Sequence, residues 1–294
     1  MEQKKLKVLL ITGIVTSEHD PRMIPMLRFL LESTGRFTVK VTEEFRGATE
    51  ETIEGYDLLF INYDGKESVE TPYVGLGEQS ERLIHDFARR GGGVVIYHST
   101  FINGGAALSE EFDHLVGCHL DMFKVGRKTV NISGQIDLIE GAHEIMKGCP
   151  PYFIAQQEDF FVGQEWLPDV PVTVLATTYD DIRYYTDPRL IQEHRKAEFE
   201  NVGDLEALPG MNQDNPVAWV HEYGEGRVFT VSIGHGPDTL RCAPFVGMLA
   251  RGCEWAASGE VTIPYPNLDG WNRTKCWPYY LDLNMQEFSR YSSF

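Results

Sequence analysis

The strongest constraint on this chain is a set of short, apolar, β-rich runs, each bounded by turn residues. Leu6 to Thr12 ends at Gly13. Tyr56 to Ile61 ends at Asn62-Tyr63-Asp64-Gly65. Val94 to Tyr97 follows the triple glycine Gly91-Gly92-Gly93. A strand with one wet face alternates apolar and polar residues, whereas a strand buried on both faces does not and belongs to a parallel sheet covered by helices. The covering helices are legible between the runs. After Pro21, Met23, Met26, Leu27, Leu30 and Leu31 recur at helical spacing until Gly35. Leu76 to Arg90 carries Leu83, Ile84 and Phe87 on one face, and Phe37 to Val41 alternates like a further strand. The first hundred residues thus read strand, helix, strand, strand, helix, strand. With right-handed crossovers this predicts an α/β fold with a doubly wound, mostly parallel sheet. No Gly-x-Gly-x-x-Gly follows the first strand, so a dinucleotide fingerprint is absent.

Residues 104–170 are less regular. Arg127 to Ile132 alternates like an antiparallel strand, and Val172 to Thr177 reads as another strand. Residues 179–215 form a polar insertion, with a short helix expected near Arg189–Phe199. Pro216–His221 and Arg227–Ile233 read as an antiparallel hairpin turning at Glu222–Gly226, and Asp238–Ala257 as a final helix. One domain is therefore expected over residues 1–263. The tail, 264–294, is rich in aromatic residues, including Trp271, Trp277, Tyr279 and Tyr280. Such a tail buries large area when it docks, so packing on its own domain or on a neighbouring subunit, as in a homodimer, is expected.

The formal charge is −18 and no segment gathers Lys or Arg. Nucleic acid and anionic membranes are thereby disfavoured as partners. The five cysteines, Cys118, Cys149, Cys242, Cys253 and Cys276, are widely spaced and form no C-x-x-C pair. A disulfide framework or a closed zinc-thiolate site is not expected, which fits a cytoplasmic protein. The apolar stretch at the N-terminus, Val8 to Ile11, is too short for a signal-peptide core.

In open α/β sheets, ligands bind at the carboxyl ends of the strands. The first strand is followed by Gly13, Ser17, His19 and Asp20. The third is followed by Asn62, Tyr63 and Asp64, the fourth by His98, Ser99 and Thr100, and the late strand by His235 and Asp238. His98 and His235 are placed for ligand and are the leading candidates for catalysis. Ser99, His235 and Asp238 could form a nucleophilic relay. Equally, His98 and His235 could act as an acid/base pair or hold a divalent metal such as zinc. Glu158, set among aromatic residues in Gln-Gln-Glu-Asp-Phe-Phe, is a candidate acid or base. The plainer alternatives are a backbone-bonded turn serine at Ser99, a helix N-cap at Asp238, and a first-helix cap at His19 and Asp20.

These segments resemble the trehalose-utilisation, or ThuA-like, family, a branch of the class I glutamine amidotransferase-like fold. The resemblance runs from about Lys7 to Ala257. It is carried by His19-Asp20, Tyr56 to Asn62, Gly92 to Ser99, His114-Leu115-Val116-Gly117, Gln157-Glu158-Asp159-Phe160, Pro216 to Val220, Gly224 to Phe229, and Gly234-His235. It implies a flavodoxin-like core and a role in carbohydrate utilisation. It also implies loss of the amidotransferase nucleophile, because His98-Ser99 stands where a Gly-x-Cys-x-Gly elbow would be. The resemblance implies a histidine a few residues after the equivalent of Gly117; Phe123 stands there here, which weakens any metal site built on that position, and His119, the nearest substitute, has a different spacing.

The leading expectation is an enzyme acting on a sugar, keto-sugar or glycoside. His98, His235 and Glu158 would transfer protons, and His19, Asp20, Asn62, Tyr63, Asp64 and Asp238 would bind the small carbohydrate. The alternatives are a hydrolase or amidotransferase-like enzyme using Ser99 and a non-catalytic sugar-binding protein.

Overall fold

The computed structural model describes residues 4–13, 22–63, 65, 74–102, 109, 111–121, 125–130, 133–191 and 202–265. The chain begins β1 (Leu6–Thr12), α1 (Met23–Ser33), β2 (Phe37–Thr42), α2 (Glu50–Ile53), β3 (Leu58–Asn62), α3 (Glu78–Arg89) and β4 (Gly93–Tyr97). It continues through α4 (Phe112–Val116) and the strands β5 (Cys118–His119), β6 (Arg127–Lys128), β7 (Ser133–Leu138), β8 (Tyr152–Gln156), β9 (Phe161–Val162), β10 (Glu165–Trp166) and β11 (Thr173–Tyr179). Last come α5 (Arg183–Thr186), β12 (Asp214–Tyr223), β13 (Gly226–Val231) and α6 (Ala243–Ser258).

A nine-stranded sheet runs in the order β2-β1-β3-β4-β13-β12-β11-β7-β8. The first five strands are parallel, the doubly wound arrangement expected from the sequence. From β13 outward every pairing is antiparallel. The two halves differ in pattern for a physical reason. β3 and β4 are buried at every position because helices cover both faces. β7, beyond them, is fully buried only at alternate residues. On one face, Leu27 and Leu31 of α1 and Phe245 and Leu249 of α6 pack with Val8, Phe60 and Phe229. On the other, Ile84 and Phe87 of α3 and Phe112 and Leu115 of α4 pack with Leu9, Ile61 and Trp219. Each such side chain, taken fully out of water, contributes about 1.5–3 kcal/mol.

The hairpin lies where the sequence placed it. Tyr223 pairs with Gly226 across Gly224-Glu225, and Gly224 has φ +62, a conformation a tight two-residue turn demands and glycine supplies. The last helix differs. It starts at Ala243, with Pro244 in the first turn where no N–H is needed, and Thr239–Arg241 forms a separate 3-10 turn. Asp238 is therefore not the N-cap of α6. The strand expected at Arg127–Ile132 narrows to β6, which pairs with β9. The polar stretch after β11 is anchored by a buried ion pair, with the Arg127 guanidinium bonding the Asp180 carboxylate and the Tyr185 hydroxyl. Most of the helix expected at Arg189–Phe199, and nearly all of the aromatic tail, lie outside the described residues. Cys118, Cys149 and Cys253 are free and buried. Cys242 is disulfide-bonded. Among the described residues, no helix is long and apolar enough to cross a membrane.

Candidate functional site

Two neighbouring parallel strands, β4 and β13, deliver His98 and His235 to the same edge of the sheet. His98 opens a 3-10 turn, His98–Phe101, directly after β4. Its φ is +48, a left-handed conformation that non-glycine residues adopt at a cost of about 1–3 kcal/mol and that clusters at functional sites. The side chain is buried, its ring lying 5.5 Å from that of Phe161. Nδ1 lies 2.9 Å from the Ser232 carbonyl oxygen. A carbonyl only accepts, so Nδ1 carries a proton, and in the neutral form of the ring the lone pair lies at Nε2.

That Nε2 lies 3.2 Å from Nδ1 of His235. The same Nδ1 lies 3.3 Å from Oδ2 of Asp159. The side chains of His98 and Asp159 are 1% and 9% exposed, against 29% for His235. The group is therefore open to solvent through His235. Lys128 also reaches Oδ2 of Asp159, at 2.5 Å.

The loop carrying His235 is held from below by Glu158. Oε2 accepts from the Gly234 amide at 2.9 Å and the Thr239 hydroxyl at 2.6 Å, while Oε1 accepts from the His235 amide at 2.9 Å. Burial pushes the Glu158 carboxyl up to about 7, against the opposing pull of these donors. Gly234 is required here. Its φ is +117, and a Cβ would sit 2.1 Å from the Tyr97 hydroxyl oxygen, which donates to the Gly234 carbonyl. Gln157 also has positive φ, +53, so a tight bend precedes the Glu158-Asp159 pair.

The structure thus brings His98, His235 and Glu158 together and adds Asp159. In the sequence Asp159 stands only as a member of the Gln157-Glu158-Asp159-Phe160 segment, with no role of its own. Adjacency to Glu158 was the only available signal. The carboxylate facing His235 is Asp159. Asp238, 45% exposed, faces Arg241 at 3.4 Å. Ser99 lies half-buried in the turn after His98. Asn62, the last residue of β3, and Tyr63, which follows it, are both buried. The Tyr63 amide donates to Thr100 Oγ1 at 2.9 Å, tying this strand end to the histidine turn. His19, Asp20, Asp64 and Phe123 lie outside the described residues. His119 pairs with Asp113 at 2.7 Å, and His114 with Asp169 at 3.6 Å.

Among the described residues, His98, Asp159 and His235 are the group whose ligand atoms converge closely enough to hold a metal ion, all within 4.8 Å of one another. They can also serve as a proton-transfer pair with an orienting carboxylate.

Comparison with known proteins accords with this architecture. A crystal structure of a ThuA-like protein from Parabacteroides merdae aligns with TM-score 0.66 and 22% identity over 94% of this chain and 98% of that one. A ThuA-like protein from Bacteroides uniformis aligns with TM-score 0.59 and 13% identity, covering 87% and 93%. No curated protein matches by sequence. The ThuA family, described as trehalose utilisation, matches residues 7–256. The chain belongs to the ThuA, trehalose-utilisation family.

Proposed function

We propose that this protein is an enzyme acting on a sugar, keto-sugar or glycoside, with proton transfer carried by the His98–His235 pair. The observation that supports this reading is the contact of His235 Nδ1 with both His98 Nε2 and Asp159 Oδ2, in a group exposed through His235 alone. Imidazole titrates near neutrality and suits both removal and return of a proton. A sugar hydroxyl, or a carbon proton made acidic by a neighbouring keto group, is a fitting partner for such a base. His235, the half-exposed ring, meets the substrate. His98, its tautomer set by the Ser232 carbonyl, shares the proton on His235 Nδ1, and Asp159 stabilises the imidazolium that results. Glu158 is committed to three amides, those of Gly234, His235 and Asp159, and a hydroxyl, so its part is to hold the backbone of His235 in place. The family's link to trehalose utilisation supports a carbohydrate substrate.

The test is to incubate the purified protein with glycosides and their keto derivatives in D2O. Products, and deuterium at carbons beside a keto group, are followed by NMR. General acid–base groups are worth roughly 10²–10⁴ in rate, so His235→Asn is expected to lower turnover by at least about 100-fold. Turnover unchanged in both His235→Asn and His98→Gln would overturn the assignment.

A further inference from the structure

We propose that His98 Nε2, His235 Nδ1 and Asp159 Oδ2 form a binding site for one divalent transition-metal ion of the zinc class. The proposal rests on the same three atoms as the functional reading above: the ion would take the place of the proton on His235 Nδ1, so the two readings describe alternative occupants of one position.

The first argument is electrostatic. His98 Nδ1 is committed as a donor to Ser232, so in its neutral form the ring turns a lone pair toward His235. Asp159 turns a carboxylate oxygen toward the same place. Acceptor atoms converging this closely repel one another unless a positive centre lies among them. The Lys128 ammonium offsets part of the Asp159 charge, and a proton on an imidazole nitrogen or a metal cation between the three atoms would relieve the rest.

The second argument is metric. Ligand atoms about 2.0–2.1 Å from a tetrahedral ion stand roughly 3.3 Å apart. The two contacts at His235 Nδ1 are 3.2 and 3.3 Å. All three atoms lie within 4.8 Å of one another. Little movement is needed to receive an ion.

The third argument concerns support. A metal-binding histidine usually donates its other N–H to a carbonyl or carboxylate, which fixes the ring, and His98 does so. The two amide bonds to Glu158 fix the backbone of the loop bearing His235, and Asp159 follows Glu158 directly. Lys128 shares Oδ2 of Asp159. About two of a carboxylate's four lone-pair positions belong to Oδ2, so the ion would share this oxygen with the Lys128 ammonium. Two imidazoles and one carboxylate suit zinc and its neighbours rather than magnesium or calcium, which favour all-oxygen shells. The exposure of His235 leaves one side open, the arrangement of catalytic rather than structural sites.

The experiment strips the full-length protein with chelator and titrates it with ZnCl2. Bound metal is counted by elemental analysis after dialysis, and X-ray absorption is recorded at the zinc edge. One ion per chain is expected, with nitrogen and oxygen neighbours and imidazole outer-shell scattering. Affinity should fall roughly 100-fold or more in His235→Asn and in Asp159→Asn. Sulfur neighbours, absence of imidazole scattering, or zinc bound equally by both variants would overturn the proposal. So would failure of the stripped protein to bind zinc. The absorption spectrum is read on the unaltered chain, so it decides the matter even where a variant fails to fold. Zinc bound by these residues without sugar turnover would support the site and sink the functional reading. Turnover by a protein that binds no zinc would do the reverse.

Discussion

His221 sets up a measurable pH dependence of stability. It lies on β12 and is 4% exposed, and neither ring nitrogen makes a well-formed hydrogen bond. Burial lowers its pKa from 6.5 to about 4, with only a weak opposing pull from the His114 backbone. The folded state therefore binds this proton less readily than the unfolded state, and stability falls as pH drops through the window from about 6.5 to 4. Integrating across that window gives a loss of about 2 kcal/mol between pH 8 and pH 5, approaching roughly 3 kcal/mol below pH 4. His221→Leu keeps similar volume and removes both the titration and two unpaired polar atoms. The assay is a comparison of thermal midpoints for the two proteins at pH 8, 6 and 5. Leucine should stabilise the protein at pH 8 by about 1–3 kcal/mol, and its advantage should grow by about 2 kcal/mol at pH 5. On the usual scale for large domains that growth is roughly 5 °C. Other titrating groups are shared by the two proteins and cancel. Midpoint curves that run parallel in pH would show that His221 does not titrate as argued.

Three further outcomes follow from the same contacts. Gly234→Ala forces a Cβ against the Tyr97 hydroxyl at φ +117, and should destabilise by about 3–5 kcal/mol, read as a fall in melting temperature. Arg127→Met leaves the Asp180 carboxylate buried without its cation. A loss of about 3–5 kcal/mol is expected, partly recovered in the double variant with Asp180→Leu, and an unshifted denaturation midpoint would contradict this. Ser99→Ala should leave sugar turnover little changed, and a fluorophosphonate should not label Ser99 in the unaltered protein. Labelling by mass spectrometry together with loss of turnover would instead favour a serine nucleophile.

The parallel half of the sheet was legible because burial on both faces leaves a mark in every residue of a strand. Leu58 to Asn62 and Gly93 to Tyr97 have no solvent face to encode, and amphipathic segments such as Leu83-Ile84-Phe87 must cover them. The antiparallel half left weaker marks. In β7 only Gly134, Ile136 and Leu138 are fully buried, and a glycine among three inward positions dilutes the period-two signal. Among the described residues β8 pairs only with β7, at the sheet's edge. Its five residues are too few for periodicity to separate strand from helix.

The site divides along the same line. His98 and His235 could be read because each follows a run buried on both faces, and the carboxyl end of such a strand in a parallel sheet faces a crevice. Asp159 could not, because its place is set by the path of the chain from β8 to β9, which no local pattern specifies. Nearness in sequence made Asp238 the natural partner for His235, yet in the structure it faces Arg241. A buried carboxylate needs donors to hold it, and the Gly234 and His235 amides supply them to Glu158. That bond draws a remote segment to the histidine loop and brings Asp159 with it. The residue singled out for its own chemistry thus matters chiefly through its neighbour. Glu158→Ala, by removing the partner of both amides, should weaken zinc binding about as much as losing Asp159 itself, roughly 100-fold. Zinc affinity unchanged in that variant would mean the Asp159–His235 contact forms without the clamp.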